Sequence, residues 1–128
     1  MIEQELLMSI FPQTMLERFT VVNFKTLGNV STKQMEYEIH LDEKNQITQD
    51  VDVSKYESKG FLPSSRVQDF PIRGRTVYLV IRRRRWRHIE DRTEVSNDIS
   101  YIAKGAKLTE EISAFLKETN RYERRYNQ

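Results

Sequence analysis

The chain has 128 residues, with 38% apolar and 31% charged side chains, no cysteine and a formal charge of +2. One domain with a modest core and a large solvated surface fits these values, while disulfides, thiol catalysis and cysteine-held zinc are excluded. The net charge hides an asymmetry: residues 1–60 carry 6 Lys/Arg against 10 Asp/Glu, and residues 61–128 carry 15 against 9. Residues 1–60 therefore read as an acidic scaffold half. Residues 61–128 read as a basic half in which a polyanion site belongs.

In chain order, Leu6, Leu7, Ile10 and Phe11 recur at helical spacing up to Pro12, and Met15, Leu16 and Phe19 predict a second short helical piece. Such a stripe is the ordinary mark of core packing. Phe19 to Leu27, rich in Val, Thr and Phe, predicts a strand closed by a turn at Gly28-Asn29. From Gln34 to Asp42 the pattern alternates. Met35, Tyr37, Ile39 and Leu41 share one face and Glu36, Glu38, His40 and Asp42 the other, as in a half-buried antiparallel strand. The polar face invites comparison with a metal site. Side chains two residues apart on a strand sit about 7 Å from each other, so a solvated face is the plainer reading.

Residues 43–60 predict a long loop with one short strand at Val51–Val53. Arg73-Gly74-Arg75 predicts a turn into a strand from Thr76, and Val95–Ala103 a further strand. After a break at Lys104-Gly105-Ala106 a helix is expected from Leu108. Thr109 is its N-cap, Glu110 and Glu111 suit its positive end, and Ile112, Phe115, Leu116 and Thr119 form its buried stripe. The fold class is therefore α+β: a small antiparallel sheet with short N-terminal helices and a C-terminal helix, in one domain over 1–128.

The most informative stretch is Arg82-Arg83-Arg84-Arg85-Trp86-Arg87, which follows the strand Thr76–Ile81. Five guanidinium groups in six residues repel one another unless a polyanion neutralises them. Unpaired guanidinium groups are expensive to bury. The strand is therefore expected to emerge into solvent near residue 82 as a basic β-arm, with Trp86 either packing the arm down or stacking on a base. Two plainer accounts compete: charges that block edge-to-edge association, and ion pairing with the acidic half. His88 reads as a bystander or a phosphate contact, and Phe61 and Phe70-Pro71 as core or loop anchors. No phosphate-binding Gly loop, Gly-x-Ser-x-Gly or His-Glu-x-x-His occurs, so no catalytic residue, metal ligand or cofactor is expected. No apolar run approaches the roughly 20 residues of a membrane span. The acidic start Met1-Ile2-Glu3-Gln4-Glu5 is unlike a signal peptide, so a cytoplasmic location is expected.

The stretch Val67-Gln68-Asp69-Phe70-Pro71-Ile72-Arg73-Gly74-Arg75-Thr76-Val77-Tyr78-Leu79-Val80-Ile81-Arg82-Arg83-Arg84-Arg85-Trp86 resembles the N-terminal region of bacterial insertion-sequence transposases. There a phrase of the form V-x-D-F-P-I-R-G-x-x-V-Y-L-x-I-R-R-R-R precedes the catalytic domain. Ala103 to Thr109 and the helix carrying Phe115-Leu116-Lys117 are similar to the same region, so the resemblance spans roughly 58–122. Better-known relatives carry Cys pairs around the Arg-rich strand in a zinc-ribbon-like module. Trp86 stands about where one such Cys would stand, so zinc is not carried over. The resemblance implies a non-catalytic module that binds double-stranded DNA at transposon ends. Phosphate contacts would come from Arg82, Arg83, Arg84, Arg85 and Arg87 beside Trp86, with Arg73 and Arg75 in support and Lys104 and Lys107 before the last helix. It also implies a separately encoded catalytic subunit as partner, allows a homodimer, and leaves a truncated remnant as the other origin. The alternative is a protein-interaction or scaffolding domain whose basic arm docks on an acidic protein surface.

Overall fold

The computed structural model describes residues 11–28, 30–31, 33–104 and 108–117. Pro12 caps a short helix α1 (Gln13–Arg18), whose Met15 is buried, and the chain passes directly into β1 (Phe19–Gly28). β1 forms an antiparallel hairpin with β2 (Met35–Glu43), interrupted by a bulge between Val21 and Asn23. The stripe Leu6 to Ile10 lies outside the described residues.

Where a loop with a strand at Val51–Val53 is expected, the chain forms a 3₁₀ turn, Val53–Lys55, and then β3 (Tyr56–Phe61). Asp52 opens that turn by accepting the Ser54 amide, a local bond that competes with a strand at 51–53. β4 (Ser65–Ile72) and β5 (Arg75–Arg82) form a second hairpin. Its turn residues Arg73 (φ 50°) and Gly74 (φ 77°) both take positive φ, as the two central positions of a type I′ turn require. β6 (Arg84–His88) follows after Arg83 alone, and β7 is the two-residue Glu94–Val95. The longer strand expected over Val95–Ala103 is absent. Asn97 is instead buried in a polar network described below, and Ser100–Lys104 form a 3₁₀ turn started by the Asp98 side chain, which accepts the Ser100 amide. Residues 110–117 are helical, with Ile112 N 3.4 Å from the Thr109 hydroxyl, the expected cap.

The strands make a four-stranded sheet of order β1-β2-β5-β4 and a three-stranded sheet of order β3-β6-β7. Pairing is antiparallel except at the centre of the larger sheet, where β2 and β5 run parallel (Tyr37 opposite Val77, Leu41 opposite Ile81). The sequence pattern cannot reveal this, since alternation fixes a strand's face and not its partner's direction. On the inner face Phe19, Val21, Ile39, Leu41, Val77, Leu79 and Ile81 are buried. They pack with Phe11, Met15, Ile99, Ile102, Ile112, Phe115 and Leu116 from the surrounding segments. Each such side chain contributes about 1.5–3 kcal/mol of transfer free energy. The fold is thus α+β with a helix toward each end.

The strand from Thr76 does not emerge into solvent at residue 82. It bends at Arg83 and continues into the second sheet, as strands do at the corners between packed sheets. Arg83 is 4% exposed and Trp86 2%. The expectation fails because it takes the guanidinium groups as unpaired, whereas Asp42, Glu43 and Glu57 of the acidic half and Glu94 of the basic half pair with four of them.

Candidate nucleic-acid interface

The corner where β5 becomes β6 is built on one carboxylate. Glu43, the last residue of β2, is 1% exposed. Its Oε1 accepts from Arg83 Nε at 3.0 Å and from the Arg84 amide at 2.8 Å, and its Oε2 accepts from Asn97 Nδ2 at 3.0 Å. Arg83 Nη2 also donates to the Asn97 carbonyl. The Asn97 side chain donates further to the Gln46 carbonyl and accepts from the Thr48 amide. Its full set of partners lets this charge pair persist out of water. Trp86 Nε1 donates to Asn45 Oδ1 at 2.8 Å. Trp86 is therefore a packing residue of the second sheet, with its one polar atom satisfied.

The other arginines of the run divide by partner. Arg82 makes a two-pronged bond to Asp42 (Nε to Oδ1 2.7 Å, Nη2 to Oδ2 2.5 Å), which raises its pKa further, and it lies over the Phe61 ring at 4.0 Å. Its side chain remains 45% exposed. Arg84 donates to the Glu43 carbonyl and to Ser58 Oγ and lies 4.3 Å from the Phe61 ring, with no side-chain carboxylate paired to it among the described residues. Arg85 lies 3.6 Å from Glu94, and Arg87 3.0 Å from Glu57. The Nε atoms of both are buried without a hydrogen bond. Lys59 also reaches Glu94, whose carboxyl is held below its ordinary pKa first by that bond and then by the Arg85 charge. His88 Nδ1 faces the backbone amides of Glu90 and Asp91 at 3.2 and 3.3 Å, which accounts for it as a turn residue.

The outer face of the larger sheet presents Glu38, His40 and Asp42 from β2, Tyr78, Val80 and Arg82 from β5, and Arg66 from β4. Glu38 binds His40 (2.8 Å) and Arg66 (3.2 Å), and these bonds, the His40 one foremost, hold its pKa low. Arg66 in turn lies flat over Tyr78, 3.6 Å from the ring centre. Arg66 and Phe61 are components of this surface that sequence reasoning missed. Neither belongs to the Arg run, and only the register of β4 and β3 against β5 and β6 brings them to it. No group of three His, Cys, Asp or Glu among the described residues is placed to hold a metal ion.

At the far end of β5, Arg73 and Arg75 are exposed at the hairpin tip. Arg75 donates to the Tyr37 hydroxyl at 2.9 Å, and neither has a carboxylate partner among the described residues. Lys104 closes the 3₁₀ turn Ser100–Lys104, and Lys107 lies outside the described residues. Eight of the ten residues singled out from the sequence thus fall into three places: a corner and second sheet that hold Arg83, Arg85, Trp86 and Arg87, an outward face with Arg82 and Arg84, and a hairpin tip with Arg73 and Arg75. No helix among the described residues is long and apolar enough to cross a membrane. The chain matches no family model, no curated protein and no solved structure.

Proposed function

We propose that this chain is a non-catalytic DNA-binding module of the transposase type, holding duplex DNA through Arg84 and Arg82 at one end of β5 and the Arg73/Arg75 tip at the other. The observation that carries the reading is the set of cations left after the fold has neutralised the rest: Arg73, Arg75 and Arg84 have no side-chain carboxylate partner among the described residues. Arg82 and Arg66, paired with Asp42 and Glu38, lie over aromatic rings and remain about half exposed. Arg75 and Arg84 are nine residues apart on one nearly continuous strand, at most about 30 Å. That is close to one turn of B-DNA, about 34 Å. Phosphate contacts of this kind position a protein without specifying sequence.

The test is fluorescence anisotropy with a labelled duplex at several salt concentrations. Neutralising three to four phosphates gives a slope of log K against log salt of about −3, from roughly −0.9 per phosphate. Arg84→Ala with Arg73→Asn, which keeps a residue tolerant of the left-handed turn, should flatten the slope by roughly two and weaken binding without unfolding the protein. A slope near zero in the wild type refutes the proposal.

One observation favours a second reading: Asp42, Glu43, Glu57 and Glu94 already pair with Arg82, Arg83, Arg87 and Arg85. A protein-interaction domain would need no further anion. It predicts self-association or partner binding with no DNA affinity, which sedimentation with and without duplex distinguishes.

A further inference from the structure

We propose that the tip of the β4–β5 hairpin is a wedge that enters the minor groove of duplex DNA and bends it, with Phe70 and Pro71 as the apolar edge and Arg73 and Arg75 as the flanking cations. This deepens the DNA-binding reading and rests on it. Phe70 reads from sequence as an anchor, yet it is 48% exposed, and Pro71 beside it is exposed too. The pairing explains why. Asp69 lies opposite Val77 and Ile72 opposite Arg75, so Phe70 and Pro71 together face the single residue Thr76. Two residues against one is a β-bulge, a device that bends a strand and re-aims its side chains. Pro71 has no amide to give to the ladder. The Phe70 amide, freed by the bulge, donates to Asp69 Oδ1 at 2.7 Å, so the distortion is satisfied locally. The result is a well-bonded hairpin that holds a large aromatic ring out in water.

The neighbours give the ring an occupant. Within five residues of Phe70 stand two exposed arginines without carboxylate partners among the described residues, at a turn whose other central residue, Gly74, has no side chain to widen it. Lys33 and Arg92 are also exposed cations at positive φ, but no exposed aromatic adjoins either in sequence. Proteins that kink DNA insert Phe or Pro between base steps from the minor groove and hold the groove with Arg, giving bends of about 20–90°. Strands read DNA from either groove, and a wedge that kinks the duplex toward the major groove opens the minor groove, about 6 Å wide when undistorted, for a two-stranded tip. An aromatic wedge between cations fits a stacked, negatively charged groove better than an apolar protein cleft, where the two guanidinium groups would be desolvated.

The experiment uses the full chain and a duplex of about thirty base pairs with a donor and an acceptor dye at its ends. Anisotropy reads binding, and energy transfer at saturation reads end-to-end shortening. The wild type should bind and raise the transfer. Phe70→Ala should bind within about tenfold of the wild type while leaving the transfer at the free-DNA value. Netropsin, which fills A·T minor grooves, should abolish the rise on an A·T-rich duplex. Folding of the variant is checked by Trp86 emission, which reports the distant second sheet. Wild-type binding without a rise, or an equal rise with Phe70→Ala, overturns the wedge and leaves the DNA-binding reading intact. A rise that netropsin does not affect overturns the groove assignment. No binding at low salt overturns both.

Discussion

Replacing Glu43 by Leu should be among the most damaging single changes in this protein. The substitution takes the Glu43 carboxylate away from the Arg83 guanidinium, 4% exposed, and strands the Arg84 amide and one Asn97 amide proton that both pointed at Glu43. Each orphaned buried donor costs about 1–3 kcal/mol, and removing one partner of a buried ion pair costs about 3–5 kcal/mol in total. A domain of this size is stable by about 5–15 kcal/mol, so a third or more of that margin should go. The assay is urea unfolding followed by Trp86 fluorescence, since the only tryptophan sits in the sheet that the corner attaches. Arg83→Leu should cost a similar amount, and the double variant much less than the sum of the two, because an apolar pair strands neither charge. The surface pair Arg82–Asp42, partly exposed, is the control, and Arg82→Leu should cost about 1 kcal/mol or less. Additive costs at Glu43 and Arg83, or a loss under about 1 kcal/mol at either, would refute the claim that this pair joins the two sheets.

Trp86→Ala should cost about 3–5 kcal/mol, as truncation of a buried large aromatic does; circular dichroism melts test this, and an unchanged midpoint would mean the second sheet does not depend on the indole. The pH dependence has two opposed components. Glu38 and Glu94 are held below their ordinary pKa of 4.5 by their partners, so the stability they contribute is present above 4.5 and is lost as pH falls through their lower folded values. Asp69 is pushed above its ordinary 3.8 by burial, so it penalises the fold at neutral pH and ceases to do so below 3.8. Asp69→Asn should therefore raise the urea midpoint at pH 7, with the gain vanishing near pH 3, and no gain at pH 7 would count against the desolvation account.

Much of the larger sheet was legible in the sequence because its strands announce themselves locally. Ile39 and Leu41 alternate against polar neighbours, Val77, Leu79 and Ile81 sit in a largely apolar run, and all are buried. Arg73-Gly74 marks its hairpin by turn chemistry alone. β3 was not legible, since Tyr56-Glu57-Ser58-Lys59-Gly60 has no apolar alternation. It is a strand because β6 pairs with it through Glu57 opposite Arg87 and Ser58 opposite Trp86. β4 was obscured by Pro71 and by the bulge that shifts its register. The Arg run was located correctly and given the wrong surroundings. A count of guanidinium groups over six residues cannot register that Asp42 and Glu43, forty residues earlier, lie alongside in the parallel strand.

That parallel pairing also governs how the cations can act on a polyanion. Arg82 offers a phosphate a guanidinium already held by Asp42, so DNA must displace that carboxylate or share the arginine with it, and a carboxylate left beside a phosphate repels it. Arg83 is buried on Glu43, and Arg85 and Arg87 pair with Glu94 and Glu57. Counting arginines in the run would give five phosphates. Counting those that bring charge without an anion to displace gives Arg73 and Arg75 at the start of β5 and Arg84 just past its end. The slope of affinity with salt measures counterions released from neutralised phosphates, and it therefore separates the two counts. A slope near −4.5 would mean that the second-sheet pairs open on binding, and Arg85→Ala or Arg87→Ala would then weaken DNA binding. A slope near −3 that is indifferent to those two substitutions would mean that the fold commits Arg83, Arg85 and Arg87 to its own carboxylates and meets DNA with Arg84 and the hairpin tip.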